Sequence, residues 1–322
     1  MKMQKRIITL MAVLFLAVTV SAQSIEAVGE KYNTGIELVK SKNYAKAIPT
    51  LKEAISLGEK AGEPATSMVE NAKSALISSY LKYGISLYKK KDFAQAITIL
   101  EEGKKVAEQY SDSKMAKKFG SVIPQVLYGY GNSFLKQKKY DDALAQFDKA
   151  LEKKPTCVKA FFGKEAVYKD KGDYAKMMEN ADKAVELGST SSKAAAIAAK
   201  AKKMSYLALY KAGGEELSKG NAGKAVEFFN EALKYGKGDA DLYLNMAIAY
   251  NSAKDFAKGV ENASKALELK KEGDKNPIYF VLAQAYQGKG DTANACKYFK
   301  MVKQGPNVDA AKYQIEQVLK CK

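Results

Sequence analysis

The 322 residues contain no histidine and only three cysteines, which removes most of the side-chain chemistry a protein can perform. Without imidazole, no Ser–His or Cys–His pair can activate a nucleophile and no histidine can ligate a metal. Cys157, Cys296 and Cys321 lack the spacing of a zinc site. No Gly-x-x-x-x-Gly-Lys-Ser/Thr loop is present to cradle phosphate, and no strand-associated Gly-x-Gly-x-x-Gly. The paired carboxylates Glu101-Glu102 and Asp141-Asp142 are neighbours on predicted helices and point in different directions. Gly213-Gly214 falls inside a predicted helical hairpin and reads as a break or a close contact. The expectation is therefore no enzyme, no cofactor, and no catalytic or metal-binding residue. Carboxylates joined by tertiary contacts remain the one open route to catalysis.

Charge is what the chain has in abundance. Lysine and arginine number 53 against 36 acidic residues, a net charge of +17, and Arg6 is the only arginine. Such a balance favours acidic partners or anionic surfaces. The near-absence of arginine argues against specific nucleic-acid reading, because the planar guanidinium makes bidentate contacts and base stacking that lysine does not. The plainer reading is that lysine keeps exposed helix faces soluble.

The first 22 residues have the layout of a signal peptide: Lys2, Lys5 and Arg6, an apolar run from Ile7 to Val20, then Val20-Ser21-Ala22. The run is about 14 residues, short of the roughly 17–25 of a membrane-spanning helix. Gln23 stands where a lipid-anchored bacterial protein would carry cysteine. The expectation is a soluble exported chain over 23–322, periplasmic, associated with the outer envelope or extracellular, with no transmembrane segment once 1–22 is removed. An uncleaved anchor is the alternative. Cleavage would leave a net charge of +14. In an oxidising compartment Cys296 and Cys321 could clip the C-terminal helix. Their spacing along two antiparallel helices, however, looks poor for the short reach of a disulfide.

The elements that carry these residues repeat. One copy runs Gly131, Phe134, Tyr140, Ala143, Phe147, Ala150, Pro155; others run Gly84, Leu87, Phe93, Ala96, Leu100, Gly103 and Gly35, Leu38, Tyr44, Ala47, Leu51, Ala54. Offsets of three and four trace one face of a helix, so each copy reads as two helices joined by a turn. Asn43, Asp92, Asp173, Asn221, Asp255 and Asp291 precede the second helix as capping residues, with Lys139 departing in the third copy. Lys42, Lys91, Lys138, Lys171, Lys219, Lys254 and Lys289 end the first helix, where a cation opposes the negative end of the helix dipole. An anion-binding lysine ridge is the alternative.

This pattern resembles the tetratricopeptide repeat, a helix–turn–helix unit of 34 residues. The resemblance covers about 28–307, in approximate repeats at 28–61, 77–110, 124–157, 158–191, 206–239, 240–273 and 276–307, followed by a capping helix at 308–320. It implies an all-α, right-handed superhelical solenoid of about seven repeats. The family's tryptophan is replaced by Tyr80, Leu127, Phe161, Leu209, Tyr243 and Tyr279, with Lys31 in the first copy. Three intervals, from Tyr44 to Phe93, Phe93 to Tyr140 and Tyr174 to Ala222, measure 49, 47 and 48 residues instead of 34. The extra segments Thr66 to Leu76, Ser113 to Val122 and Ser191 to Lys203 are helical in composition. They predict extended first helices that protrude past the solenoid edge, with Pro124 kinking or splitting one of them.

The resemblance also implies where a partner would sit, because in this family the first helices line a concave surface. The corresponding places hold Tyr32, Leu81, Tyr128, Phe162, Tyr210, Leu244 and Phe280, and four residues on come Ile36, Ile85, Asn132, Ala166, Gly214, Ile248 and Gln284. Packing between helices is one use for such residues; an aromatic groove floor is the other. The candidate binding residues are Tyr32, Tyr128, Asn132, Phe162, Tyr210 and Phe280. Family members that clamp a chaperone's C-terminal carboxylate use Lys, Asn and Arg here. Only Asn132 matches, which argues against that clamp. The function implied is a protein- or peptide-binding scaffold or assembly factor of the bacterial envelope, with lysines steering acidic partners. Binding of polyanions or the envelope surface through patches such as Lys89-Lys90-Lys91, and self-association as a structural protein, are the alternatives; oligomeric state is open.

Overall fold

A computed structural model of the protein describes residues 25–322; the expected signal peptide, 1–22, lies outside the described residues. The described residues divide into two compact units, 25–163 and 164–322, with the division inside one helix. All regular structure among them is helical. The first unit contains α1 (25–40), α2 (Tyr44–Ala61), α3 (Thr66–Lys89), α4 (Phe93–Gln109), α5 (Ser113–Lys136), α6 (Tyr140–Lys153) and the start of α7 (Val158–Lys171). The second continues through α8 (Tyr174–Glu186), α9 (Ser192–Ser218), α10 (Ala222–Tyr235), α11 (Ala240–Ser252), α12 (Phe256–Leu269), α13 (Asn276–Gly288), α14 (Thr292–Met301) and α15 (Val308–Tyr313).

Within each unit consecutive helices pack as antiparallel hairpins, and first helices also touch the next first helix, as α3 does α5 and α11 does α13. No hairpin can bury its apolar faces alone, so stacking supplies the core. The fully buried large side chains follow the repeat: Leu51, Tyr80, Leu100, Phe119 and Phe147 in the first unit, Met177, Leu209, Phe229, Leu242 and Phe299 in the second. The small residues let the helices approach. A Cβ on Gly131 would lie 2.5 Å from Cε1 of Phe147, and one on Gly163 would lie 2.5 Å from its Cζ, so the ring sits between two glycines.

The turns inside the repeats share one geometry. The amide of the residue opening the second helix donates five residues back, as Asn43 to Leu38, Asp92 to Leu87, Lys139 to Phe134 and Asp173 to Tyr168. The residue before it is left-handed, which is the Schellman ending of a helix. That residue is glycine at Gly172, Gly220 and Gly290 but lysine at Lys42, Lys91, Lys138 and Lys254, with φ between 58° and 65°. These four lysines are thus held in a backbone region that normally favours glycine. The aspartates cap as expected: Asp92, Asp173, Asp255 and Asp291 accept from the amides of Gln95, Lys176, Lys258 and Asn294. Asn43 and Asn221 do not cap with their side chains, and the Asn221 amide donates to Glu216 instead.

The extended first helices are real, at 24, 24 and 27 residues for α3, α5 and α9. They do not protrude. Val69, Ala72, Phe119, Ala194 and Ala198 are buried, because neighbouring elements lengthen to meet them. α2 and α4 reach 18 and 17 residues, and a 3-10 turn, Leu187–Thr190, prolongs α8. Gly58 and Gly188 make room, since a Cβ there would lie 2.3 Å from Val69 and 2.7 Å from Ala198. α5 runs unbroken through Pro124. The C-terminal cap is shorter than expected: α15 passes into a wider π-type turn, Gln314–Val318, and the chain then folds back with Lys320 left-handed. This reversal brings Cys321 to a Cα–Cα distance of 5.7 Å from Cys296, and the two form a disulfide. A straight helix to the end would keep the two cysteines apart; the reversal after α15 is what closes the gap. Cys157 is buried as a free thiol.

Candidate functional site

The candidate binding residues are neither core nor freely exposed: Tyr32, Tyr128, Asn132 and Phe162 in the first unit, and Tyr210 and Phe280 in the second, are all partly buried. Leu81, at the equivalent place in α3, is buried and serves packing alone. Three of the aromatics share a backing. Tyr128 lies 5.9 Å from Phe147, Tyr210 5.9 Å from Phe229 and Phe280 5.7 Å from Phe299, centroid to centroid. In each case the first-helix ring rests on the large buried residue of its own second helix. The register that makes them a repeat also makes them rigid, with one side packed and the rest of the ring reaching the surface.

Their surroundings differ. In the first unit the Lys159 ammonium stands 5.8 Å from the Tyr128 ring. In the second, Tyr206 stacks on Tyr210 at 6.4 Å, and Asn245 of α11 donates to the Tyr210 hydroxyl at 2.9 Å. Burial pushes the hydroxyls of Tyr206 and Tyr210 above their usual range, so both stay protonated donors. Near the C-terminus Tyr286 and Tyr298 stack at 5.6 Å, with Tyr279 6.4 Å from Tyr298.

Two features escaped the sequence reading. One is an aromatic ladder in the first unit, where Tyr88, Phe93, Tyr130 and Phe134 follow one another at centroid distances of 5.8, 5.3 and 4.6 Å. Phe93 and Phe134 were visible as repeat positions, but Tyr88 and Tyr130 lie off the repeat pattern. The other is Glu165. It occupies the place held by Gly35, Gly84, Gly131, Gly213, Ala247 and Ala283 in the other copies, and it is fully buried. Its second helix carries Ala181 where others carry Phe147 or Phe229, which leaves room for the larger side chain. The Ser205 hydroxyl donates to Glu165 Oε1 at 2.9 Å, while Oε2 has no partner. Burial pushes this carboxyl up to about 8, against the Ser205 hydrogen bond and the Lys169 charge, which act to lower it; Asp182 adds to the rise.

Among the described residues no group of three His, Cys, Asp or Glu side chains could hold a metal ion, and no helix is long and apolar enough to cross a membrane.

Models of the tetratricopeptide repeat match residues 124–157, 277–301 and 78–113. These segments are tetratricopeptide repeats, and the fold is the all-α repeat solenoid of that kind, with about seven repeats, some having extended first helices. Solved structures similar to the chain include the MamA protein (21% identity, 61% of this chain and 95% of that one, TM-score 0.34). A tetratricopeptide repeat protein from Parabacteroides merdae ATCC 43184 is similar at 16% identity over 91% of this chain and 98% of that one, TM-score 0.27. The TPR2AB domain of yeast Sti1, in a complex with pHSP90, is similar at 18% identity over 90% and 95%, TM-score 0.34. Tetratricopeptide repeats are protein-interaction scaffolds.

Proposed function

We propose that the protein is a non-enzymatic scaffold or assembly factor, exported to the cell envelope, that holds a protein or peptide against the partly exposed rings of its first helices. The carrying observation is the set Tyr32, Tyr128, Phe162, Tyr210 and Phe280: one register, each partly buried, and three of them braced on a second-helix phenylalanine. A pre-braced aromatic gives up little conformational freedom on binding, which is why such residues make good interface anchors. Asn132 adds an amide one turn beyond Tyr128. The lysine excess would speed encounter with acidic partners.

The test begins with capture from envelope extract on residues 23–322, at low and high salt, with partners identified by mass spectrometry. A protein retained at high salt and released by Tyr128→Ala plus Phe162→Ala, with affinity falling at least about tenfold and the helical circular dichroism unchanged, fits the proposal. Binding that ignores both substitutions, or that vanishes with salt and returns only polyanions, refutes it. Export is tested separately: fractionation should find the chain outside the cytoplasm with Gln23 as its first residue.

A further inference from the structure

The second unit holds a cleft of about 680 Å³ lined by the apolar Tyr174, Met204, Leu207 and Ala208, by Lys169, Lys200, Lys203 and Lys211, and by one carboxylate, Asp170. This volume lies within the roughly 300–1,000 Å³ of ligand sites. Leu207 is 50% exposed in the middle of a 27-residue helix, beside three other apolar side chains.

The rim is only partly neutralised by the protein itself, four lysines against one lining carboxylate. Lys169 pairs with Asp170, which also lines the cleft, at 3.1 Å and Lys211 with Glu215 at 3.6 Å, both exposed pairs and weak for that reason. Lys200 and Lys203 have no ion pair among the described residues. Lys200, Lys203, Leu207 and Lys211 are spaced by three, four and four along α9, so one helix face presents charge, then a hydrophobe, then charge. Lys200 and Lys203 belong to the extra segment 191–203, which the 34-residue repeat does not contain. The insertion therefore supplies two of the four rim lysines, and the rest of the lining comes from the repeat itself and from α7 and α8.

We propose that this cleft binds a short acidic peptide segment, one bulky apolar side chain seating against Met204 and Leu207 while flanking Asp or Glu carboxylates meet Lys200, Lys203 and Lys211. Charge complementarity selects the occupant, and the apolar floor sets it apart from a plain polyanion, which has nothing to bury there. The inference rests on the peptide-binding reading above and names the partner chemistry for one part of it.

The probe is a fluorescein-labelled peptide, Asp-Glu-Asp-Leu-Phe-Glu-Asp-Glu, titrated by fluorescence anisotropy with the full chain. A second peptide carries Gly-Ser in place of Leu-Phe, and vesicles of anionic phospholipid serve as competitor. Expected is binding of the first peptide at least about tenfold tighter than the second, weakened about fivefold or more by Lys203→Glu and by Leu207→Ser, both at exposed sites where melting should not move. Lys46→Glu, at an exposed site in the other unit, should leave it unchanged. Equal binding of the two peptides, indifference to Leu207→Ser, or preferential displacement by vesicles would overturn the proposal. If the probe fails to bind while a captured protein still depends on Tyr128 and Phe162, the cleft is wrong and the scaffold reading survives; a probe that binds as expected while no captured protein depends on those rings leaves the cleft standing without the Tyr128–Phe162 face.

Discussion

Replacing Glu165 by Gln should remove a pH dependence from the stability of residues 164–322. Burial holds the Glu165 carboxyl near 8 in the folded state against 4.5 as its ordinary value. Between those values the folded state keeps a proton that the unfolded state has lost, so stability falls as pH rises. Below 4.5 both states are protonated and the group contributes no slope; above about 8 both are ionised and the slope again vanishes. From about pH 5.5 to 7.5 the loss is close to two pH units at about 1.36 kcal/mol each, reduced slightly by ionisation near the upper end, or about 2.5 kcal/mol. Glutamine has nearly the same shape, can accept from the Ser205 hydroxyl and does not titrate. The assay is urea unfolding of wild type and Glu165→Gln at about pH 5.5 and 7.5, with amide exchange on α7–α9 to localise the effect. The difference between the proteins should grow by about 2–3 kcal/mol over that interval, whatever their offset at the lower pH. Parallel curves would show that Glu165 titrates normally, that its surroundings admit water, and that the burial argument is wrong.

The left-handed lysines invite a second test: Lys42→Gly, Lys91→Gly, Lys138→Gly and Lys254→Gly should each stabilise by about 0.5–1 kcal/mol, the relief of strain exceeding glycine's greater unfolded-state entropy, whereas Lys219→Gly, on helical backbone, should destabilise. Thermal melts of the set distinguish the two, and equal effects would refute the strain argument. Gly131→Ala should cost about 1–3 kcal/mol, because its Cβ would meet Phe147 at 2.5 Å and that ring is held on its other side by Gly163; Gly120→Ala, with nothing within 4 Å, should instead add about 0.5–1 kcal/mol of helix propensity. Reducing or deleting the Cys296–Cys321 bridge, which spans 25 residues, should lose up to about 3.5 kcal/mol by loop entropy. The loss should appear as faster amide exchange in α14 and α15 while α1–α6 keep their protection.

The amino-acid order by itself determined the architecture, because the signals that specify a helical repeat are local. Stripes such as Tyr140, Ala143, Phe147, Ala150 declare a buried helix face, and Asp92, Asp173, Asp255 and Asp291 declare a helix start through a bond to an amide three residues away. The excess length of α3, α5 and α9 was legible for the same reason. Where local geometry had to be closed by distant residues, the reading stopped. Tertiary packing alone decided that the extensions lie buried against lengthened neighbours, that a reversed terminus brings Cys321 to Cys296, and that a glutamate fills a glycine's place opposite Ala181. It also decided that Tyr128, Tyr210 and Phe280 rest on Phe147, Phe229 and Phe299, and that Lys169 joins Lys200, Lys203 and Lys211 around one apolar floor. Each of these depends on contacts between residues 10 to 42 apart in the chain. Capping and periodicity act over three or four residues and say nothing about which faces meet; that is settled when the hairpins stack and their side chains compete for the same volume.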